Sequence, residues 1–205
     1  MIGILDYGLG NILAFKNIYK KLNVPAKIIT EVSDLDGVTK LILPGVGAFD
    51  HAMTLFNNSG LREKVEKLVL DQHVPILGIC VGLQILFLSS EEGEMPGLGW
   101  LEGHVKKILV AKDQQFQALP HMGWNSVVQV KENPIFNDIS QGSPFYFLHS
   151  YYVVVEDSTL IVATADYTDS FACVVNDKNI YGVQCHPEKS HDVGIQFLKN
   201  FAGLG

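Results

Sequence analysis

The sequence predicts an α/β protein with three layers: a mostly parallel central sheet, helices on both of its faces, and an antiparallel extension. Three observations predict it. In the first half, short apolar strand-like runs alternate with segments whose apolar residues recur at three-and-four spacing, the mark of βαβ units. In the second half, strand-like runs follow one another with turn residues between them. The composition, 47% hydrophobic and 18% charged over 205 residues, suits a sizeable core. No internal repeat, low-complexity tract or linker interrupts it, so residues 1–205 read as a single domain.

Ile2 to Leu5 opens the chain as a short buried strand, and Asp6-Tyr7-Gly8-Leu9-Gly10-Asn11 turns it. Ile12, Phe15, Ile18, Tyr19 and Leu22 then mark one face of a helix. Ala26 to Thr30 and Lys40 to Leu43 are strand-like, the second stopping at Pro44-Gly45-Val46-Gly47. Leu61, Val65, Leu68 and Val69 form a second apolar helical stripe, with Arg62, Glu63, Lys64 and Glu66 on its wet side. Pro75 introduces another buried strand that runs to Cys80. Beyond it, Val105 to Val110, Ser126 to Val130 and Phe145 to Val155 read as strands. Phe171 to Val175 and Ile180 to Gln184 flank a hairpin turn at Asn176-Asp177-Lys178-Asn179. A last helix starts near Ser190 and buries Ile195, Leu198, Phe201 and Val193.

Charge and cysteine usage narrow the function classes. A net charge of −7, from 15 Lys and Arg against 22 Asp and Glu, gives no electrostatic case for nucleic acid or an anionic membrane. Arg62 is the single arginine, so bidentate arginine clamps for phosphate are nearly absent. Cys80, Cys173 and Cys185 include no close pair, which points away from a disulfide framework and a structural metal site. No apolar run approaches membrane-spanning length. The first residues lack the basic start of a secretory signal, so the cytoplasm is the expected compartment.

The chemistry concentrates in two segments. In Gly78-Ile79-Cys80-Val81-Gly82-Leu83-Gln84, an apolar strand delivers a cysteine held between glycines, and a helical pattern follows at once. This is the sequence form of a nucleophile elbow, in which the glycines permit unusual dihedrals and close backbone approach. A cysteine at a helix N-terminus is also favoured as the thiolate. The plain alternative is a buried core cysteine in a glycine-rich loop. In Gly182-Val183-Gln184-Cys185-His186-Pro187-Glu188, an extended chain would project His186 and Glu188 the same way. His186 would then take the Cys80 proton while Glu188 orients the imidazole. A surface turn is the alternative for that segment alone.

These two segments resemble the catalytic motifs of class I, or triad, glutamine amidotransferases. Pro44 to Phe49, Pro120-His121-Met122-Gly123-Trp124-Asn125, His149-Ser150-Tyr151-Tyr152 and Gly182 to Ser190 are similar to one branch, the glutaminase subunits of imidazole glycerol phosphate synthases. The resemblance runs from Asp6 to the last helix. It implies the family fold, no cofactor, and hydrolysis of glutamine through a thioester on Cys80, with His186 moving protons and Glu188 orienting it. The backbone of Val81 would supply one oxyanion donor, and a peptide at Val46 and Gly47 the second after reorientation. Gln84, Glu92, His149, Ser150 and Tyr151 would hold substrate glutamine, although Glu91 and Glu94 lie close to Glu92. Ammonia would pass to a (βα)8-barrel cyclase subunit, with Asn11, Trp124, Tyr146 and Lys189 facing that partner. One departure stands out: Cys185 occupies the place of a phenylalanine usual in the family, so looser packing is expected behind His186. Other triad amidotransferases, and a non-catalytic subunit with the same fold, share parts of this pattern.

Overall fold

A computed structural model describes residues 1–110 and 118–205. β1 (Ile2–Leu5) is buried throughout, and α1 (Ile12–Lys21) packs Ile12, Phe15, Ile18 and Tyr19 inward. β2 (Ala26–Ile29) and β3 (Lys40–Gly45) follow. β3 runs two residues beyond the predicted stop, because Pro44 and Gly45 still pair with Ile79 and Cys80 of the neighbouring strand. Proline is tolerated there by its place at the strand's end. α2 (Phe49–Asn58) is additional to the predicted elements, although Phe49, Ala52, Met53 and Phe56 are buried at helical spacing. α3 (Arg62–Glu66) carries the predicted stripe and widens into a π turn over Lys67–Asp71. β4 (Ile76–Cys80) is buried from end to end and passes directly into α4 (Val81–Gln84), a helix of a single turn.

The second half departs further from the expected runs. β5 (Ser89–Ser90) and β6 (Gly103–Lys107) pair in parallel. β7 (His121–Ser126) is a strand beyond those predicted, while β8 (Val128–Gln129) covers only the middle of the predicted run Ser126 to Val130, with buried Val127 between the two. The apolar run 145–155 also divides at Ser150: β9 (Pro144–His149) joins β7 in a two-stranded ribbon, while β10 (Tyr151–Val155) enters the main sheet. β11 (Ile161–Asp166), a further strand beyond those predicted, lies beside β12 (Ser170–Asp177). β12 and β13 (Ile180–Val183) make the predicted hairpin, with a tighter two-residue turn in which Lys178 takes φ 49°. α5 (His191–Gly203) buries Phe197, Leu198 and Phe201, while Val193 and Ile195 are only half covered.

The main sheet runs β2-β1-β3-β4-β13-β12-β10-β6-β5. The first five strands are mutually parallel, and β13 turns antiparallel to β12. α1 packs with α5, bridged by a 3.2 Å hydrogen bond from Tyr19 Oη to the Leu198 carbonyl, and α2 packs with α4. Helices thus flank a central α/β sheet. Three parallel strands, β3, β4 and β13, end side by side, and parallel sheets place their sites beyond such carboxyl ends. Among the described residues, no helix is long and apolar enough to cross a membrane.

Candidate active site

Cys80 is both the last residue of β4 and the cap of α4. Its backbone sits at φ 56°, ψ −111°, a conformation rare for an L residue. Such a position costs of order 1–3 kcal/mol and persists only where surrounding packing fixes it. The glycines supply that packing. A Cβ on Gly82 would lie 1.9 Å from the Leu43 carbonyl oxygen, and one on Gly45 would lie 2.4 Å from the Gly82 nitrogen. They allow β3, β4 and α4 to touch backbone to backbone. The unusual dihedral expected of them falls on the cysteine instead.

β13 brings the histidine alongside. Val183 pairs with Ile79, so Gln184 and Cys80 leave the sheet together. His186 then caps a 3-10 turn over Pro187–Lys189, which corrects the extended path expected for this segment. Pro187 pre-sets the turn at its first helical position. The turn returns Glu188 Oε1 to 2.9 Å from His186 Nδ1, with the two side chains 3% and 2% exposed. A carboxylate only accepts, so Nδ1 carries the proton and Nε2 is left for Cys80. Burial alone would push the His186 imidazolium down. Its hydrogen bonds to Cys80 and Glu188, with their negative charge, prevail and hold it at about 10. Glu188 Oε2 has no hydrogen-bond partner among the described residues. The His186 backbone is pinned to β9, its N–H donating to Tyr146 O at 2.8 Å and its carbonyl accepting from Ser190 Oγ at 2.6 Å.

Cys80 and His186 open onto a cavity of about 270 Å³. That is below the roughly 300–1,000 Å³ of pockets for drug-sized ligands and fits a small substrate. Val46, Gly47, Val81, Gln84, Glu92, His149, Ser150 and Tyr151 all line the cavity, and so does Lys189. Of the three neighbouring acids, Glu92 alone faces the cavity. Glu91 accepts from the Lys107 N–H, and the Glu94 backbone N–H donates to Asp50 Oδ2. Glu92 Oε2 also accepts from the Phe49 N–H at 2.8 Å, tying it to the start of α2, directly after the Val46–Gly47 loop. Gln84 is buried, and its amide N–H donates to Tyr151 O at 3.0 Å and Gln184 Oε1 at 3.2 Å.

Tyr7, His121 and Gln184, which were given no role from the sequence, complete the site alongside His149. Tyr7 Oη donates to Pro44 O at 2.7 Å and anchors the strand before Val46. Burial, and then the charge of nearby Cys80, push its phenol far above the usual range. His121 and His149 share a 3.0 Å hydrogen bond beneath the cavity. His149 Nδ1 donates to Tyr151 O at 2.9 Å, so His149 Nε2 accepts from His121 Nδ1. His121 Nε2 in turn accepts from Asn125 Nδ2 at 3.2 Å. Burial holds His149 at about 3 and His121 at about 4, both neutral near pH 7. The signal that could have found Gln184 was its place two residues before His186 on the extended stretch leaving β13.

The residues expected to face a partner are only partly assembled. Trp124 is 48% exposed and stands edge-on to Tyr146 at 5.9 Å, and Lys189 Nζ lies 5.8 Å from the Tyr146 ring. His191, which the sequence did not single out, stacks on Trp124 at 5.0 Å. Asn11 is exposed directly before α1, which packs near the Pro187–Lys189 turn. Cys185 is buried beside Cys173, and burial pushes both thiols far up.

This geometry has known counterparts. Residues 6–203 match the family model described as "Glutamine amidotransferase class-I". A Bdellovibrio bacteriovorus protein named imidazole glycerol phosphate synthase subunit HisH is 50% identical over 100% of both chains. A Leptospira borgpetersenii protein of the same name is 47% identical over 100% of both. Among solved structures, one titled glutamine amidotransferase superposes with a TM-score of 0.75 at 20% identity, covering 99% of each chain. PurLQS from Thermotoga maritima superposes with a TM-score of 0.74 at 17% identity, covering 98% of this chain and 97% of that one. At those identities the structures share the fold.

Proposed function

The chain belongs to the class-I glutamine amidotransferase family, and from that premise we propose that it is the glutaminase subunit of an imidazole glycerol phosphate synthase. It releases ammonia from glutamine in the cytoplasm for a (βα)8-barrel cyclase partner. The observation that carries the reading is the cavity itself. Cys80 at its strained elbow and His186, backed by buried Glu188 at 2.9 Å, open onto one small pocket that also holds Gln84 and Glu92.

The thiolate of Cys80 attacks the side-chain amide carbon of glutamine, and the carbonyl π electrons move onto oxygen. Backbone N–H groups at Val81 and in the Val46–Gly47 peptide receive that oxyanion. The intermediate collapses, the C–N bond breaks, and His186 gives its proton to the departing nitrogen, which leaves as ammonia. The neutral imidazole then takes a proton from water, whose hydroxide attacks the thioester. The C–S bond breaks, releasing glutamate and restoring the thiolate–imidazolium pair. Glu188 holds the ring through Nδ1 and balances the imidazolium charge. Glu92 suits the substrate α-ammonium.

The exposed Trp124 cluster with Tyr146, Lys189 and His191 supports the partner-facing assignment, since aromatics are favoured at interface centres. The test is a pair of glutamine saturation curves, for the isolated subunit and for its complex with the cyclase and cyclase ligand. The expected result is a kcat increase of about 10²–10³, the worth of one oxyanion donor, with a smaller change in KM. Equal hydrolysis without partner, or stimulation confined to KM, would overturn the coupled reading.

A further inference from the structure

Gln184 is fully buried, and its side chain ends 3.8 Å from the Cys80 sulfur. On that juxtaposition we propose that Gln184 is a thiolate-binding residue, which donates its amide N–H to Cys80 and supports the charged form of the nucleophile. The inference rests on the glutaminase reading for its place in the reaction, but its chemistry can be tested on the thiol alone.

The direction of the amide decides the matter, because an amide oxygen at that point would repel a thiolate. One acceptor fixes it. The Tyr151 carbonyl can only accept, so the Gln84 atom 3.0 Å from it is the nitrogen. That nitrogen also donates to Gln184 at 3.2 Å, and the receiving atom must therefore be Oε1. Gln184 Nε2 is left pointing at Cys80. The sulfur has a second neighbour of opposite polarity, the Leu148 carbonyl oxygen at 3.9 Å. A neutral thiol donates its S–H to Leu148 O. A thiolate has no proton to give and accepts from Gln184 instead. The two neighbours thus serve the two protonation states, and Gln184 favours the reactive one.

Gln184 is held there on both sides. Its backbone N–H donates to Cys173 O at 2.8 Å, and β13 enters beside β4 in parallel register. Gln84 lines the cavity, so a substrate contact at Gln84 reaches the sulfur through Gln184.

The experiment measures the rate of Cys80 alkylation by iodoacetamide against pH in the parent and in Gln184→Met, each checked for folding by circular dichroism and thermal melting. Cys173 and Cys185 are buried, and peptide mass analysis assigns the label. A lost hydrogen bond to a charged group corresponds to about tenfold in rate at its lower end. The expected result is a roughly tenfold slower alkylation at pH 7, with the profile's midpoint moved upward and a kcat loss that exceeds any change in KM. If Gln184→Met does not fold, Gln184→Glu decides, since it keeps the shape and places a carboxylate against the sulfur. It should move the midpoint further up. An unmoved midpoint in the folded variant, or a uniform drop at every pH, would overturn the proposal. A parent that alkylates normally yet releases no glutamate even in complex with the cyclase and its ligand would sink the glutaminase reading and leave the Gln184 result standing.

Discussion

At the scale of single residues, Glu188 separates a chemical role from a structural one. Its Oε1 accepts from His186, while Oε2 is buried without a partner among the described residues. Glu188→Gln keeps the acceptor for Nδ1–H and removes a buried charge, so the fold should hold. Loss of the charge that supports the imidazolium should lower kcat, by less than Cys80→Ala or His186→Ala, which should each abolish glutamate release. Steady-state glutamate assays decide this, and a Glu188→Gln enzyme with parental kcat would remove the residue from the mechanism. Cys80 and His186 were legible in the sequence because an elbow cysteine and a His-Pro-Glu run have few other uses. Glu92 could not be told from Glu91 and Glu94 by charge. Only the fold shows that Glu92 faces the cavity while Glu91 accepts from the Lys107 N–H elsewhere.

Elements show where local pattern prevails and where it yields to tertiary pairing. The parallel half was readable, since each strand and helix carries its own period. The run 145–155 was not, because its apolar residues serve the ribbon up to His149 and the main sheet after Ser150, a switch that no local periodicity encodes. The elbow depends on elements in contact through bare backbone. Gly82→Ala would set a Cβ 1.9 Å from the Leu43 carbonyl, so β3 or α4 must shift. Overpacking of this kind typically costs about 1–3 kcal/mol, and a rigid backbone contact belongs at the upper end or beyond. Gly203→Ala is the control, since its added Cβ meets nothing within 4 Å. Thermal melting should show a marked drop for Gly82→Ala and little change for Gly203→Ala. Equal melting temperatures would show that the close approach is not needed.

For the whole molecule, three buried histidines set the dependence of stability on pH. His149 and His121 sit at about 3 and about 4 when folded, below an unfolded value of about 6.5. Their stabilising contribution is present above about 6.5 and is lost as pH falls toward those folded values. His186 has the opposite sign. Raised to about 10, it contributes below about 6.5 and loses that contribution as pH climbs toward its folded value. Each group can contribute up to about 1.4 kcal/mol per pH unit within its window. Melting temperature should therefore peak near pH 6.5 and fall on both sides. A flat profile from pH 4.5 to 6.5 would show that His121 and His149 are not held neutral. The Tyr151 carbonyl, which accepts from both Gln84 and His149, has a consequence at this same scale. Amide and imidazole side chains each have two nearly isosteric settings, and a cluster of them can freeze into a mixture, as protons do in ice. Here one oxygen selects a single setting for every member from Asn125 through the histidine pair, and from Gln84 to the sulfur. With both histidines neutral, these amides and imidazoles share one proton arrangement, and a change that reverses any one of them must be absorbed by the others.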